Sequence, residues 1–199
     1  QGYRLAVASV AWLARRGAKK NDDFFDRIFN IIVVNNRMLC EVAVEKAKEL
    51  GYNTMLLTTR LTGEAKDIGK YLTDRAKKYY NQDVKKIVFI SSGETTVTVK
   101  GDGVGGRNQE MVLGGVENLA DSDIVFVSFA TDGIDGFTDT AGAIADGYTL
   151  QRANDKNLNP GIFLEENNSY MFFKKLEDLL YSGSTGNNVM DIQIIVKEE

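Results

Sequence analysis

The stretch from Gly101 to Glu110 reads GDGVGGRNQE, four glycines in six residues followed by Arg107, Asn108, Gln109 and Glu110. Glycine loses more backbone entropy on folding than any other residue, so such clustering marks a backbone with a special task. Binding an anion is one task that fits. Glycines let backbone N–H groups converge, and the start of a helix favours negative charge. Arg107 adds a planar, bidentate donor at that point. Gly101, Gly103 and Gly106 also satisfy G-x-G-x-x-G, which alone is weak support for a dinucleotide. The preceding TTVTVK alternates Thr with Val, whereas a fingerprint strand is buried on both faces and nearly all apolar. Asp102 would place a negative charge where a pyrophosphate should sit, and the spacing to a ribose-binding acid is loose. Gly101, Asp102, Gly103, Gly105, Gly106 and Asn108 are therefore candidate substrate- or phosphate-binding residues around Arg107. A hairpin-to-helix connection that holds no ligand is the alternative.

A second cluster, ATDGIDGFTDTAGAIADG (130–147), follows an apolar strand. In open α/β sheets ligands bind outside the carboxyl ends of strands, so this loop lies where a site is expected. Asp132, Asp135 and Asp139 are separated by glycines and threonines. Carboxylates packed together need a cation, an arginine or hydrogen-bond donors to compensate. The spacing is not that of an EF-hand; magnesium held partly by a nucleotide's phosphates fits better. Asp132 and Asp135 are the candidate metal ligands. As exposed loop carboxylates, their amidation is expected to leave stability almost unchanged. Asp-Gly turn chemistry with solvated carboxylates is the alternative. A third stretch, SGSTGNNVMDIQIIV (182–196), offers Thr185, Asn187 and Asn188 as donors to a substrate hydroxyl or phosphate, or as pins of a long turn.

The elements that must position these loops alternate between strand-like and helix-like patterns. NIIVVNN (30–36) suits a buried strand, and RMLCEVAVEKAKEL (37–50) reads as a helix stopped at Gly51. NTMLLTT (53–59) is a second strand, GEAKDIGKYLTDRAKKYY (63–80) a long amphipathic helix, and KKIVFISSG (85–93) a third strand. TTVTVKG reads as a half-exposed strand hairpinned onto it. A helix from Gly106 to about Ala120 precedes the strand DIVFVSFA (123–130). Helices near 146–156 and 168–181 and a last strand, DIQIIVK (191–197), complete a layered, Rossmann-like α/β pattern. Its sheet is expected to be mixed and mostly parallel. Residues 1–23, with the only tryptophan, read as a helix and charged linker ahead of a domain spanning 24–199.

Composition excludes several functions. The chain has 199 residues, a net charge of −4 and one cysteine, Cys40. The acidic balance argues against a nucleic-acid binder. A lone cysteine excludes an internal disulfide and suits a reducing, cytoplasmic setting. No apolar run reaches membrane-spanning length. The absence of histidine removes Ser-His-Asp and Cys-His nucleophiles and disfavours a zinc hydrolase. The chain begins at Gln1 without a methionine, as expected of a fragment or a processed product.

SSGETTVTVKGDGVGGRNQE, TDGIDGFTDTAGAIADG, ENNSYMFF and STGNNVMDIQI occur in that order. Together they resemble the carboxyl-terminal MOFRL-type domain of bacterial and archaeal glycerate kinases. The resemblance runs from about Phe24 or Arg27 to the end and includes NNRMLCEVAVEKAKELGY and LTGEAKDIG. It implies an enzyme that phosphorylates D-glycerate with ATP and a divalent metal, Mg2+, commonly to 2-phosphoglycerate. The cleft of such an enzyme lies between this domain and an amino-terminal Rossmann-like domain, which carries a catalytic lysine and is missing here. The chain departs from the family pattern in three places: Asp26 and Arg27 stand for a histidine-arginine pair, Phe137 for a proline, and GSTGNNV for GPTGTNV. On this resemblance Arg107, Asp132 and Asp135 are the catalytic candidates. Arg107 and Asn108 would contact the substrate or the transferred phosphoryl group, and Asp132 and Asp135 the metal or the substrate hydroxyl. Glu94 and Glu110 would orient the loops, and this chain alone is expected to be inactive. An NAD(P)H-dependent hydroxypyruvate reductase and a non-catalytic ligand-binding module are the competing readings, and a homo-oligomer stays open.

Overall fold

The computed structural model describes residues 32–79 and 81–198, and the chain from Val34 to Glu199 forms one compact unit. Along it run α1 (Asn36–Glu49), β1 (Asn53–Leu61), α2 (Ala65–Lys78), β2 (Lys86–Gly93), α3 (Arg107–Leu119), β3 (Ile124–Ala130) and β4 (Gly142–Ala145). Then come α4 (Thr149–Asp155), α5 (Pro160–Glu165), α6 (Ser169–Leu176), β5 (Leu179–Leu180) and β6 (Asp191–Glu198). The strands form one sheet in the order β1-β2-β6-β3-β4-β5.

The two faces of β2 show why the sheet must be covered on both sides. Ile87 and Phe89 point into the larger core, among Leu72, Met111, Val116 and Phe126 beneath α2 and α3. Val88 and Ile90 point the other way, onto Cys40 and Ala47 of α1. Alternate residues of a strand face opposite sides, so a continuous apolar run needs a helix layer on each. The α2–α3 pair is the tightest helix contact: a Cβ on Gly69 would lie 1.8 Å from the Met111 carbonyl oxygen.

The α/β class, the mixed sheet and the flanking helices agree with the sequence reading. The balance of pairings does not: β1–β2 is parallel, and the pairs β2–β6, β3–β6, β3–β4 and β4–β5 are antiparallel. The last strand enters the middle of the sheet, which reverses the direction of pairing on both of its sides. Local pattern cannot encode that choice.

Other corrections follow from burial. Residues 32–35 form no strand; Ile32 and Val33 are exposed, and Asn35 caps α1 by accepting from the Met38 N–H at 3.0 Å. TTVTVK joins no strand ladder among the described residues, where its one bridge is between Thr96 and Glu64. Its alternation holds over the first four residues, where Thr95 is buried and Val97 half-buried while Thr96 and Thr98 are exposed, and it ends at the exposed Val99. A period of two reports an extended chain with one covered face, and here the covering partner is α2's amino terminus instead of a strand. The second helix of the 146–181 region ends at Leu176, and α5, β4 and β5 were not legible in the pattern. Residues 1–23, Asp26 and Arg27 lie outside the described residues.

Strand register brings the candidate loops to one end of the sheet. Gly93, the last residue of β2, and Ala130, the last of β3, both pair with Asp191, the first residue of β6. The loops 94–106, 131–141 and 181–190 therefore leave the sheet at the same edge.

Candidate functional site

Arg107 is the first residue of α3, where its guanidinium meets two carboxylates. Nε and Nη2 donate to the two oxygens of Asp191 at 2.5 and 3.0 Å, and Nη1 donates to Glu94 Oε1 at 2.7 Å. Asp191 is buried, whereas Arg107 is partly open and Glu94 largely open. Its hydrogen bonds to the Asp191 carboxylate hold the Arg107 pKa above its ordinary value. The guanidinium is thus charged and fixed in orientation, with donor capacity left on its Nη groups.

The polar run that follows Arg107 stitches the start of α3 to separate segments. Asn108 is fully buried; its Nδ2 donates to Asp135 Oδ1 at 3.1 Å and its Oδ1 accepts from Ser128 Oγ at 2.6 Å. Both ends are occupied, which corrects the expectation that Asn108 faces a ligand. Gln109 Nε2 donates to Thr138 and Thr140. Glu110 Oε2 accepts from Asn167 Nδ2 at 3.0 Å. Burial pushes the Glu110 carboxyl above the usual carboxylate range.

Asp135 is the second correction, because it is buried instead of exposed. Its carboxylate accepts from the backbone N–H groups of Asn108 at 3.0 Å and Gln109 at 2.9 Å. The anion at the amino terminus of α3 is therefore the chain's own side chain. Burial pushes its pKa up to about 6 against the pull of those donors. Gly106 is required there: a Cβ would lie 2.3 Å from the Asp135 carboxyl carbon.

The glycine loop packs on the segment 166–169. Gly103 N–H donates to the Glu166 carbonyl at 2.9 Å, and the N–H groups of Lys100 and Gly101 converge on Asn167 Oδ1. With those donors engaged and no strand before them, the G-x-G-x-x-G pattern cannot cradle a dinucleotide pyrophosphate in the usual way. Asp102 is exposed. The N–H groups of Gly105 and Gly106 have no partner among the described residues.

Beside these glycines is a cavity of about 630 Å³, within the range of small-molecule sites. Gly103, Gly105, Gly106, Arg107, Glu94, Thr95 and Glu110 line it, with Val97, Val99, Val104 and Phe137 among its apolar walls. Thr95 Oγ1 and Glu110 Oε1, both in wall residues, are buried without a hydrogen-bond partner among the described residues.

Asp132, Thr185 and Asn187 belong to a neighbouring cluster that does not line this cavity. Asp132 accepts from the Ile134 N–H and from Asn188 Nδ2, and Thr185 donates its hydroxyl to the Thr131 carbonyl at 2.6 Å. Asn187 is exposed. Asp132→Asn keeps one carbonyl acceptor in a half-buried turn, so it is expected to change stability by no more than about 1 kcal/mol. A chemical-denaturation midpoint checks this; a loss several times larger would make Asp132 a structural anchor of the 182–190 loop. No three His, Cys, Asp or Glu residues are grouped to hold a metal among the described residues. With Asp135 bonded to α3, the donor set fits magnesium only through Asp132 together with oxygens from a bound phosphate.

Sequence reading missed Asp191, whose signal is a lone carboxylate opening an apolar strand after a Gly/Asn-rich loop. It also missed Asn167, which joins the glycine loop to Glu110 and adopts φ +51°.

Residues 87–191 match the MOFRL family. The chain is 37% identical over 173 residues to a glycerate 2-kinase of Pyrococcus horikoshii, covering 85% of this chain and 39% of the relative. It is 39% identical over 167 residues to a D-glycerate 2-kinase of Thermotoga maritima, covering 82% of this chain and 40% of the relative. A solved glycerate kinase structure from Thermotoga maritima superposes with a TM-score of 0.80 at 32% identity, over 96% of this chain and 50% of that one. The chain thus spans about 40% of the length of these curated relatives.

Proposed function

The chain belongs to the MOFRL family, and from that premise we propose that it forms the carboxyl-terminal part of a kinase that phosphorylates D-glycerate, giving 2-phosphoglycerate. The observation that carries this reading is Arg107, held by Asp191 and open to a cavity where the N–H groups of Gly105 and Gly106 have no partner among the described residues. Phosphoryl transfer asks for positioning and charge neutralisation more than for covalent chemistry from the protein. A fixed guanidinium beside unpaired N–H donors is suited to that work, and no histidine is needed.

Arg107 would take the carboxylate of glycerate or the transferred phosphoryl group, with the Gly105 and Gly106 N–H groups as neighbouring donors. Asn108 and Asp135 hold the start of α3 in place for this contact and do not touch the substrate. ATP, when bound, supplies the phosphoryl group, and Asp132 would help to hold Mg2+ in this reading. A further Rossmann-like domain completes the cleft in this reading. Among the described residues no helix is long and apolar enough to cross a membrane, and the buried, unpaired Cys40 suits a reducing, cytoplasmic setting.

The test is a chimera in which this chain replaces the matched region of the Thermotoga maritima relative. Transfer of labelled phosphate from ATP to D-glycerate is expected from the chimera and not from this chain alone, since half a cleft forfeits the proximity term. A folded chimera that binds both substrates and transfers nothing would refute the reading.

A further inference from the structure

The two carboxylates on Arg107 are unequal in every respect that decides mobility. Asp191 is 1% exposed and grips two corners of the guanidinium, Nε and Nη2. Its backbone opens β6 in the middle of the sheet, paired with Gly93 on one side and Ala130 on the other. It cannot shift without moving three strands. Glu94 is 57% exposed and meets one corner, Nη1, through one oxygen. Glu94 and Arg107 line the cavity, whereas Asp191 stands behind the arginine and does not.

A buried, bidentate carboxylate orients a guanidinium strongly. An exposed single contact is weak and screened by salt. We infer that Asp191 is the positioning residue that aims Arg107 into the cavity, and that Glu94 is a displaceable carboxylate holding the open corner until an anionic substrate group takes its place. The nature of that group, a carboxylate or a phosphate, rests on the kinase reading above. Glu94 then acts as a gate: it keeps the arginine paired in the empty site and leaves by rotating into solvent, with no backbone change.

Calorimetric titration of the chain with inorganic pyrophosphate at low ionic strength tests this. Removing either carboxylate takes a negative charge away from the arginine, so charge alone makes both Glu94→Gln and Asp191→Asn bind more tightly. The inference demands opposite signs. Glu94→Gln is expected to bind about three- to fivefold more tightly, an advantage that shrinks as salt is added. Asp191→Asn is expected to bind about tenfold more weakly, because the guanidinium is no longer aimed. Unchanged or weaker binding by Glu94→Gln, tighter binding by Asp191→Asn, or no binding by the parent would each overturn it. Should Asp191→Asn fail to fold, the exposed Glu94→Gln decides alone. An active chimera combined with the wrong signs refutes this inference only. An inactive chimera with the expected signs leaves the arginine gate intact and refutes the kinase reading.

Discussion

Arg107→Lys is expected to lower the catalytic efficiency of the chimeric kinase by on the order of a hundredfold or more, nearly as much as Arg107→Ala. Lysine keeps the charge but not the planar fork. The guanidinium binds both Asp191 oxygens through Nε and Nη2 and still presents Nη donors to the cavity. One ammonium cannot bridge Asp191 and a ligand in that geometry; drawn to the buried carboxylate, it would leave the cavity. Stability separates the two variants where activity does not. Arg107→Ala leaves Asp191 buried without its countercharge, which costs on the order of 3 kcal/mol, whereas lysine retains the pairing. Steady-state kinetics and thermal melts on both variants check the prediction. Near-parental activity in Arg107→Lys would reduce Arg107 to a point charge or place it outside the site.

Asp135→Ala is expected to destabilise the fold by about 2–4 kcal/mol, through loss of a helix cap and exposure of unpaired buried donors. The donors left behind are the N–H groups of Asn108 and Gln109 and the Asn108 amide. The effect has a definite pH dependence. The folded pKa is raised from 3.8 to about 6, so between those values the native state binds a proton that the unfolded chain has released. The stability contributed by this group is therefore greatest below about pH 4, falls as pH rises to about 6, and is level above it. Denaturation of parent and variant at pH 5 and pH 8 should show the larger penalty for alanine at pH 5. A penalty under about 0.5 kcal/mol at both values, the range of ordinary surface changes, would return Asp135 to the class of solvated loop carboxylates. A penalty that grows toward pH 8 would show that the three donors outweigh burial.

The glycine loop shows how a correct reading of residue type can assign the wrong partner. GDGVGG signals close approach of backbone, and close approach is present: a Cβ on Gly103 would lie 2.4 Å from the Glu166 carbonyl oxygen. What approaches is mostly the chain's own 166–169 segment, distant in sequence, and the Asp135 carboxylate. The run from Asn108 to Glu110 is likewise polar because its members bond distant parts of the chain: Asn108 meets Ser128 and Asp135, Gln109 meets Thr138 and Thr140, and Glu110 meets Asn167. A polar residue buried by tertiary contact and one presented to a ligand have the same letter in the sequence.

Much was legible locally. α1, α2, α3, β2, β3 and β6 follow from hydrophobic period and from stop signals such as Gly51, because those depend on neighbours within a few residues. Four ordered motifs also pointed to the family, and Arg107 to the place where chemistry would occur. Strand order, by contrast, depends on where a strand fits between two others. Only the insertion of β6 between β2 and β3 sets Asp191 behind Arg107 and brings Gly93 and Ala130 to the same edge. The sequence by itself determined which residues could bind an anion. The tertiary structure decided which of them are free to do so, because a hydrogen-bonding group that is buried must be satisfied by whatever the fold brings to it.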